Sequence, residues 1–162
     1  MKKKKPANSI SVKGMFRIHI EENGKLVGDS GWRQNQITNL GFNSFIVNTL
    51  GGITGSSRVG AVALASGSTI ASNATALTGE LAKRTTVTAT SVGSQTLRYT
   101  ASFVSQASSS ANFNTVINQT IQAIGLYVSS SGGSTLFAGN TFSSSTLSTN
   151  QSVNVTYDII FA

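Results

Sequence analysis

Ser152-Val153-Asn154-Val155-Thr156-Tyr157-Asp158-Ile159-Ile160-Phe161 decides the fold class of this chain. Val153, Val155, Tyr157, Ile159 and Phe161 take every second position, with Ser152, Asn154, Thr156 and Asp158 between them. Successive side chains of an extended strand point to opposite sides of a sheet, so this pattern predicts a strand with one apolar and one polar face. The same period recurs upstream. Met15-Phe16-Arg17-Ile18-His19-Ile20 places Phe16, Ile18 and Ile20 on one face, and Leu97, Tyr99, Ala101 and Phe103 alternate through Thr96–Ser105.

The segments between these strands read as turns, shorter strands and one helix. Asn23-Gly24, inside Glu22-Asn23-Gly24-Lys25, is the favoured tight-hairpin pair because both residues tolerate positive φ. A hairpin over 15–34 follows, with Leu26, Val27 and Trp32 on its returning strand. Thr38 and Asn39 offer helix-capping side chains. Phe42, Phe45, Ile46 and Leu50 recur at helical spacing, and Gly51-Gly52 supplies a left-handed stop, which predicts a short helix over about 40–50. Val59 to Leu64 reads as a strand of small residues, Ser66 to Ser72 as a polar turn, and Leu77 to Leu81 as a link into a Thr- and Val-rich strand over 84–90. Val116 to Val128 is long and apolar, with Ile117, Ile121, Ile124, Leu126 and Val128 as core candidates. Ser129 to Ser134 reads as a Gly/Ser turn, after which Leu136-Phe137-Ala138 opens another strand.

Short strands at near-regular intervals predict a mainly β chain, an antiparallel β-sandwich or jelly-roll-like domain with one short helix. The expected organisation is one β domain over 11–162, comprising the hairpin, the helix and a sandwich body over 58–162. An extended basic N-terminal arm over 1–10 precedes it.

Charge narrows the function. No charged residue occurs from Tyr99 to Tyr157, and Asp158 is the only one after Arg98. Acid–base catalysis, metal binding and phosphate handling all draw on charged or titratable groups. Charged residues make up 10% of the chain against roughly 25% in ordinary domains, while hydrophobic residues reach 39%, so this is a foldable chain of low charge. Cysteine is absent, which removes disulfides and thiolate chemistry. A secretory signal would need an apolar stretch where Pro6-Ala7-Asn8-Ser9-Ile10-Ser11 is polar, so the chain is expected to be made and left in the cytoplasm. No run approaches the ~20 apolar residues that span a bilayer, and no membrane partner is expected.

The candidate chemistry is sparse. His19 alternates with Phe16, Ile18 and Ile20 and lies on the opposite face, with no serine nucleophile in a triad context, so a structural or surface role is expected. The carboxylates are Glu21, Glu22, Asp29, Glu80 and Asp158. Asp29 and Glu80 are the pair that a glycoside hydrolase would need. Against that, Asp29-Ser30-Gly31 reads as a turn, and Glu80 beside Lys83 and Arg84 reads as an ion-pair partner. Zinc lacks Cys and a second His, calcium lacks a carboxylate-rich loop, and Gly51-Gly52-Ile53-Thr54-Gly55 lacks the lysine of a phosphate loop. No catalytic residue, metal or cofactor is expected.

The net charge of +7 rests heavily on Lys2, Lys3, Lys4 and Lys5. These are the candidate partner-binding residues. A lysine run is commonly a solvated tail; it can also clamp an acidic protein surface or neutralise phosphates. The arm lacks the interleaved aromatics of single-strand binding, which weighs against nucleic acid.

Several segments in order resemble a loose family of small virion proteins of tailed bacteriophages. They are Glu22-Asn23-Gly24-Lys25 with Gly31-Trp32, Asn35-Gln36-Ile37-Thr38-Asn39-Leu40-Gly41, Ala61-Val62-Ala63-Leu64 with Gly67-Ser68, and Ala76-Leu77-Thr78-Gly79-Glu80-Leu81-Ala82-Lys83-Arg84. Tyr99-Thr100-Ala101-Ser102-Phe103, Ile124-Gly125-Leu126-Tyr127, Thr135-Leu136-Phe137-Ala138 and the closing strand complete the series. The resemblance implies a non-enzymatic β protein of the virion, acting as a homo-oligomer that decorates or cements the capsid. It would be partnered by other virion proteins, with the arm as tether. A trimer or closed ring would cover unpaired sheet edges, and low charge suits faces buried between copies. The alternative is a tail, baseplate or fibre component binding host glycans, for which Tyr127 and Phe142 were the candidate exposed stacking aromatics.

Overall fold

The computed structural model describes residues 11–52, 58–81, 84–104, 119–130 and 135–162. The predicted arm over 1–10, and with it Lys2 to Lys5, lies outside the described residues, as do Val116, Ile117 and most of the Gly/Ser turn after Ser129. The strands are β1 (Val12–Glu22), β2 (Lys25–Asp29), β3 (Arg33–Ile37), β4 (Ala61–Ala65), β5 (Thr85–Thr86), β6 (Thr88–Ser91), β7 (Thr96–Val104), β8 (Thr120–Tyr127), β9 (Leu136–Thr146) and β10 (Gln151–Phe161). One helical segment separates β3 from β4: α1 (Asn39–Gly41), a π-helical stretch Phe42–Val47, and α2 (Asn48–Leu50).

Every strand pairing is antiparallel, in the order β5-β4-β8-β9-β3-β1-β10-β7-β6, with β2 beside β1. Two short segments turn this path into a nearly closed barrel. In β3, Arg33, Gln34 and Asn35 pair with β1, whereas Gln36 and Ile37 pair with β9. On the other side, β5 pairs with β4 and β6 pairs with β7, and only Val87 separates β5 from β6. The Val87 N–H donates to the Gly60 carbonyl at 3.1 Å, so the two ends of the sheet meet through one continuous piece of chain.

The strand that opened the sequence reading is central. β10 pairs with β1 along its whole length, from Val12↔Phe161 to Glu22↔Gln151, and with β7 on its other side. The predicted hairpin is therefore built into the main sheet and is no appendage to it. Asn23 and Gly24 sit at φ +50° and +76°, the left-handed conformations that an Asn-Gly turn supplies at little cost. The expected returning strand is divided: β2 ends at Asp29, Trp32 lies in the break, and β3 starts at Arg33.

The main core fills the barrel. Phe16, Ile18, Ile20, Phe103, Val153, Val155, Tyr157 and Ile159 are all buried, and the Phe16 ring stacks on Tyr157 at 6.0 Å between centroids. Burying such side chains contributes ~1.5–3 kcal/mol each. A smaller second core lies outside the barrel wall, where Leu77, with Ile70 and Ala74, packs on Ala63, Ala65, Ala123, Tyr127 and Leu136. That covering segment explains why all five residues of β4 are buried and why β4 shows no polar face.

The helical segment sits at one end of the barrel. Thr38 caps it by accepting from the Gly41 N–H at 2.9 Å, and its own hydroxyl lies 2.7 Å from the Leu136 carbonyl, to which it donates. Asn48 donates to the carbonyl of Asn43, five residues back, the mark of π-helical winding. Phe45 is the buried anchor, 4.9 Å from the Phe137 ring.

Candidate functional site

Three of the carboxylates are held by arginines. Asp29 takes two hydrogen bonds from Arg17, Nε to Oδ1 at 3.0 Å and Nη2 to Oδ2 at 2.6 Å, and a third from the Gly31 N–H at 2.8 Å. The last closes the turn expected at Asp29-Ser30-Gly31. Arg17, then the Gly31 N–H, hold the Asp29 carboxyl well below the usual carboxylate range. His19 Nε2 lies 3.5 Å from Asp29 Oδ1 on the outward face of β1, with no nucleophile among the groups the structure places against it.

Because the folded protein binds the Asp29 proton less readily than the unfolded chain, the pair contributes stability above the unfolded carboxyl pKa of about 4. That contribution is lost as pH falls toward the folded value. Asp29→Asn is therefore expected to lower stability slightly at pH 7, with the gap to the native chain closing below about pH 4. Urea unfolding at the two pH values checks this, and a gap of constant size would refute it.

Glu80 forms a more enclosed group. Arg84 Nε donates to its Oε1 at 2.5 Å, and the Tyr127 hydroxyl donates to its Oε2 at 2.9 Å while accepting from the Leu77 N–H at 2.7 Å. The Arg84 guanidinium lies 3.6 Å from the Tyr127 ring centroid, in cation–π contact. The predicted Glu80–Arg84 ion pair is thus present, and it fastens the second core to the barrel wall. Asp158 meets Arg98 through two 2.7 Å hydrogen bonds and is only 7% exposed, although the alternation put it on the polar face.

The structure does not bring Asp29 and Glu80 together. Asp29 is on β2 beside β1, Glu80 bridges to Ala65 at the end of β4, and β8, β9 and β3 lie between β4 and β1. Among the described residues no three His, Cys, Asp or Glu side chains gather, and no described helix is long and apolar enough to cross a membrane. The two candidate sugar-stacking aromatics need correction. Tyr127 is fully buried, because the 66–80 segment covers the outer face of β8, and Phe142 is half-buried with its ring edge-on to Phe16.

No family model, curated protein or solved structure matches this chain.

What distinguishes the surface is apolar. Leu26, Val27, Trp32, Phe42, Val47 and Leu50 are large side chains between 44% and 81% exposed, and all lie on the hairpin, the β2–β3 break or the helical segment. The sequence held a signal for two of them. Leu26 and Val27 are consecutive, so a strand cannot turn both inward. Trp32 also lies beside the Arg98 guanidinium, 5.8 Å from ring centroid to Cζ.

Proposed function

We propose that this chain is a non-enzymatic structural protein of a tailed-phage virion that assembles as a homo-oligomer, a trimer favoured, and docks on the capsid as a decoration or cement protein. One observation carries the assembly: among the described residues, six of the eight exposed large apolar side chains fall within residues 26–50. Isolated exposed apolar residues are ordinary, whereas groups of them, here Leu26 and Val27 on the hairpin and Phe42, Val47 and Leu50 on the helical segment, mark surfaces that another protein covers. The virion setting rests on the ordered series of resembling segments. The same reading takes the barrel as flattened into two sandwich-like layers and residues 1–10 as a basic tether to an acidic capsid surface.

Antibody raised against the chain and carried on gold particles is expected to label the heads of particles released from cells that carry its gene. Deleting residues 2–6 is expected to lower that labelling, and more so in moderate salt, because an arm acting by charge is screened. Particles without label would overturn the proposal. A second reading, a tail, baseplate or fibre component that binds host glycans, is favoured by Trp32, 44% exposed beside the Arg98–Asp158 pair. Label confined to the tail, with glycan-array binding lost in Trp32→Ala, would move the protein there.

A further inference from the structure

The two ends of β1 carry surfaces that fit each other. At its C-terminal end the hairpin presents Leu26 and Val27, both more than half exposed. Leu26 stands across from Glu21, and the register passes from Glu21↔Leu26 to Ile20↔Gly28, so Val27 has no cross-strand partner. Among the described residues no cation comes within ion-pair distance of Glu21 or Glu22, and exposed Lys25 stands across the strand from Glu22. This tip is apolar, and its edge carries two carboxylates against one lysine.

At the other end of β1, Val12 pairs with Phe161, and a cavity of about 270 Å³ opens there between the helical segment and the strand ends. Ile46, Leu50, Val59, Tyr99 and Phe161 line it, and Arg58 is its one charged lining residue. Arg58 is exposed and has no acidic partner among the described residues; exposed Lys13 lies beside Val12 at the same end, outside the cavity lining. The cavity is apolar and carries one cation, Arg58, in its lining.

β1 is eleven residues long, which at ~3.3 Å per residue separates tip and cavity by roughly 35 Å. One chain cannot seat its own tip. We propose that copies of this chain join head to tail, the β1–β2 hairpin tip of one copy seated in the cavity of the next, with Glu21 facing Arg58. The two surfaces differ, so the contact is heterologous and builds a ring where the rotation closes and a filament where it does not. Three copies make the smallest ring larger than a dimer. The inference rests on the reading of the chain as a homo-oligomer and names the surface that reading needs.

Sedimentation velocity on the full chain tests it, with two variants. Leu26→Asp combined with Val27→Asp spoils the tip; Leu50→Asp, at a side chain 81% exposed, spoils the cavity rim. Each alone is expected to sediment as a monomer, and an equimolar mixture as a one-to-one dimer, since each variant keeps the half that the other has lost. If both variants fail to associate and their mixture fails too, the head-to-tail contact is wrong. If the native oligomer persists in both, the contact is wrong and the homo-oligomer stands. A native chain that stays monomeric at every concentration overturns both readings. Should the hairpin variant not fold, Glu21→Lys and Arg58→Glu serve instead: each is expected to weaken association about tenfold and the pair together to restore it, whereas no restoration overturns the proposal.

Discussion

Gly41→Ala is expected to destabilise the protein by about 3 kcal/mol, and Gly41→Val by more. The sign is the opposite of what helix propensity dictates, since alanine in place of glycine within a helix ordinarily gains ~1 kcal/mol. The reason is where Gly41 sits. A Cβ there would stand far inside van der Waals contact with the Phe137 carbonyl oxygen, a backbone atom that cannot swing away. The same carbonyl accepts from the Thr38 N–H at 3.0 Å, and the Thr38 hydroxyl lies 3.1 Å from it. Pushing the helical segment off β9 would break these bonds, the Thr38 cap on the Gly41 N–H and the Phe45–Phe137 contact together. For a chain of this size ~3 kcal/mol corresponds to about 6–12 °C in Tm. Thermal unfolding checks it, with Asn43→Ala, at an exposed position of the same segment, as the control expected to stay within about 1 °C. A Gly41→Ala protein as stable as the native chain would show that the helical segment is not seated as described.

How much of this was legible in the sequence depended on whether a strand keeps one face in water. β1, β7 and β10 do, and Phe16-Ile18-Ile20, Tyr99-Ala101-Phe103 and Val153-Val155-Tyr157 read directly as core. The Thr38 cap and the Gly52 stop, at φ +62°, were equally local and equally readable. β4 and β8 are buried on both sides by a loop from elsewhere in the chain, so they show no alternation. For that reason the sequence pattern does not show that Tyr127 is covered on its outer face. β3 is polar along Arg33–Gln36 and takes its strand character from pairing β1 and β9 at once, which no local pattern encodes. Barrel closure through residues 85–91 is a long-range property of the same kind. Of the ion pairs, Glu80–Arg84 could be read from its spacing, whereas Arg98 and Asp158 meet only because β7 and β10 align them.

Burial of the tyrosines leads to the second large effect. The chain has three, Tyr99, Tyr127 and Tyr157, and all are buried. Burial raises the pKa of each above that of a free phenol. Around Tyr127 the negative charge of Glu80 adds to the rise, and the Leu77 N–H opposes it. Above pH ~10 the unfolded chain releases phenolic protons that the folded chain retains, so stability is complete below that pH and falls as pH rises toward the folded values. Between its unfolded and its folded pKa each tyrosine steepens the fall by up to about 1.4 kcal/mol per pH unit, and where all three windows overlap by up to about 4. Absorbance at 295 nm is therefore expected to stay flat past pH 10 and then rise in one cooperative step as the β signal in circular dichroism collapses. Tyr99→Phe isolates the cause, because among the described residues nothing hydrogen-bonds the Tyr99 hydroxyl, and burial raises its pKa. That variant is expected to match the native chain at pH 7, to lose about a third of the alkaline slope and to unfold at higher pH. A phenolate that forms near pH 10 while the sheet is intact would mean that at least one ring is open to water and that the barrel interior is looser than its packing implies.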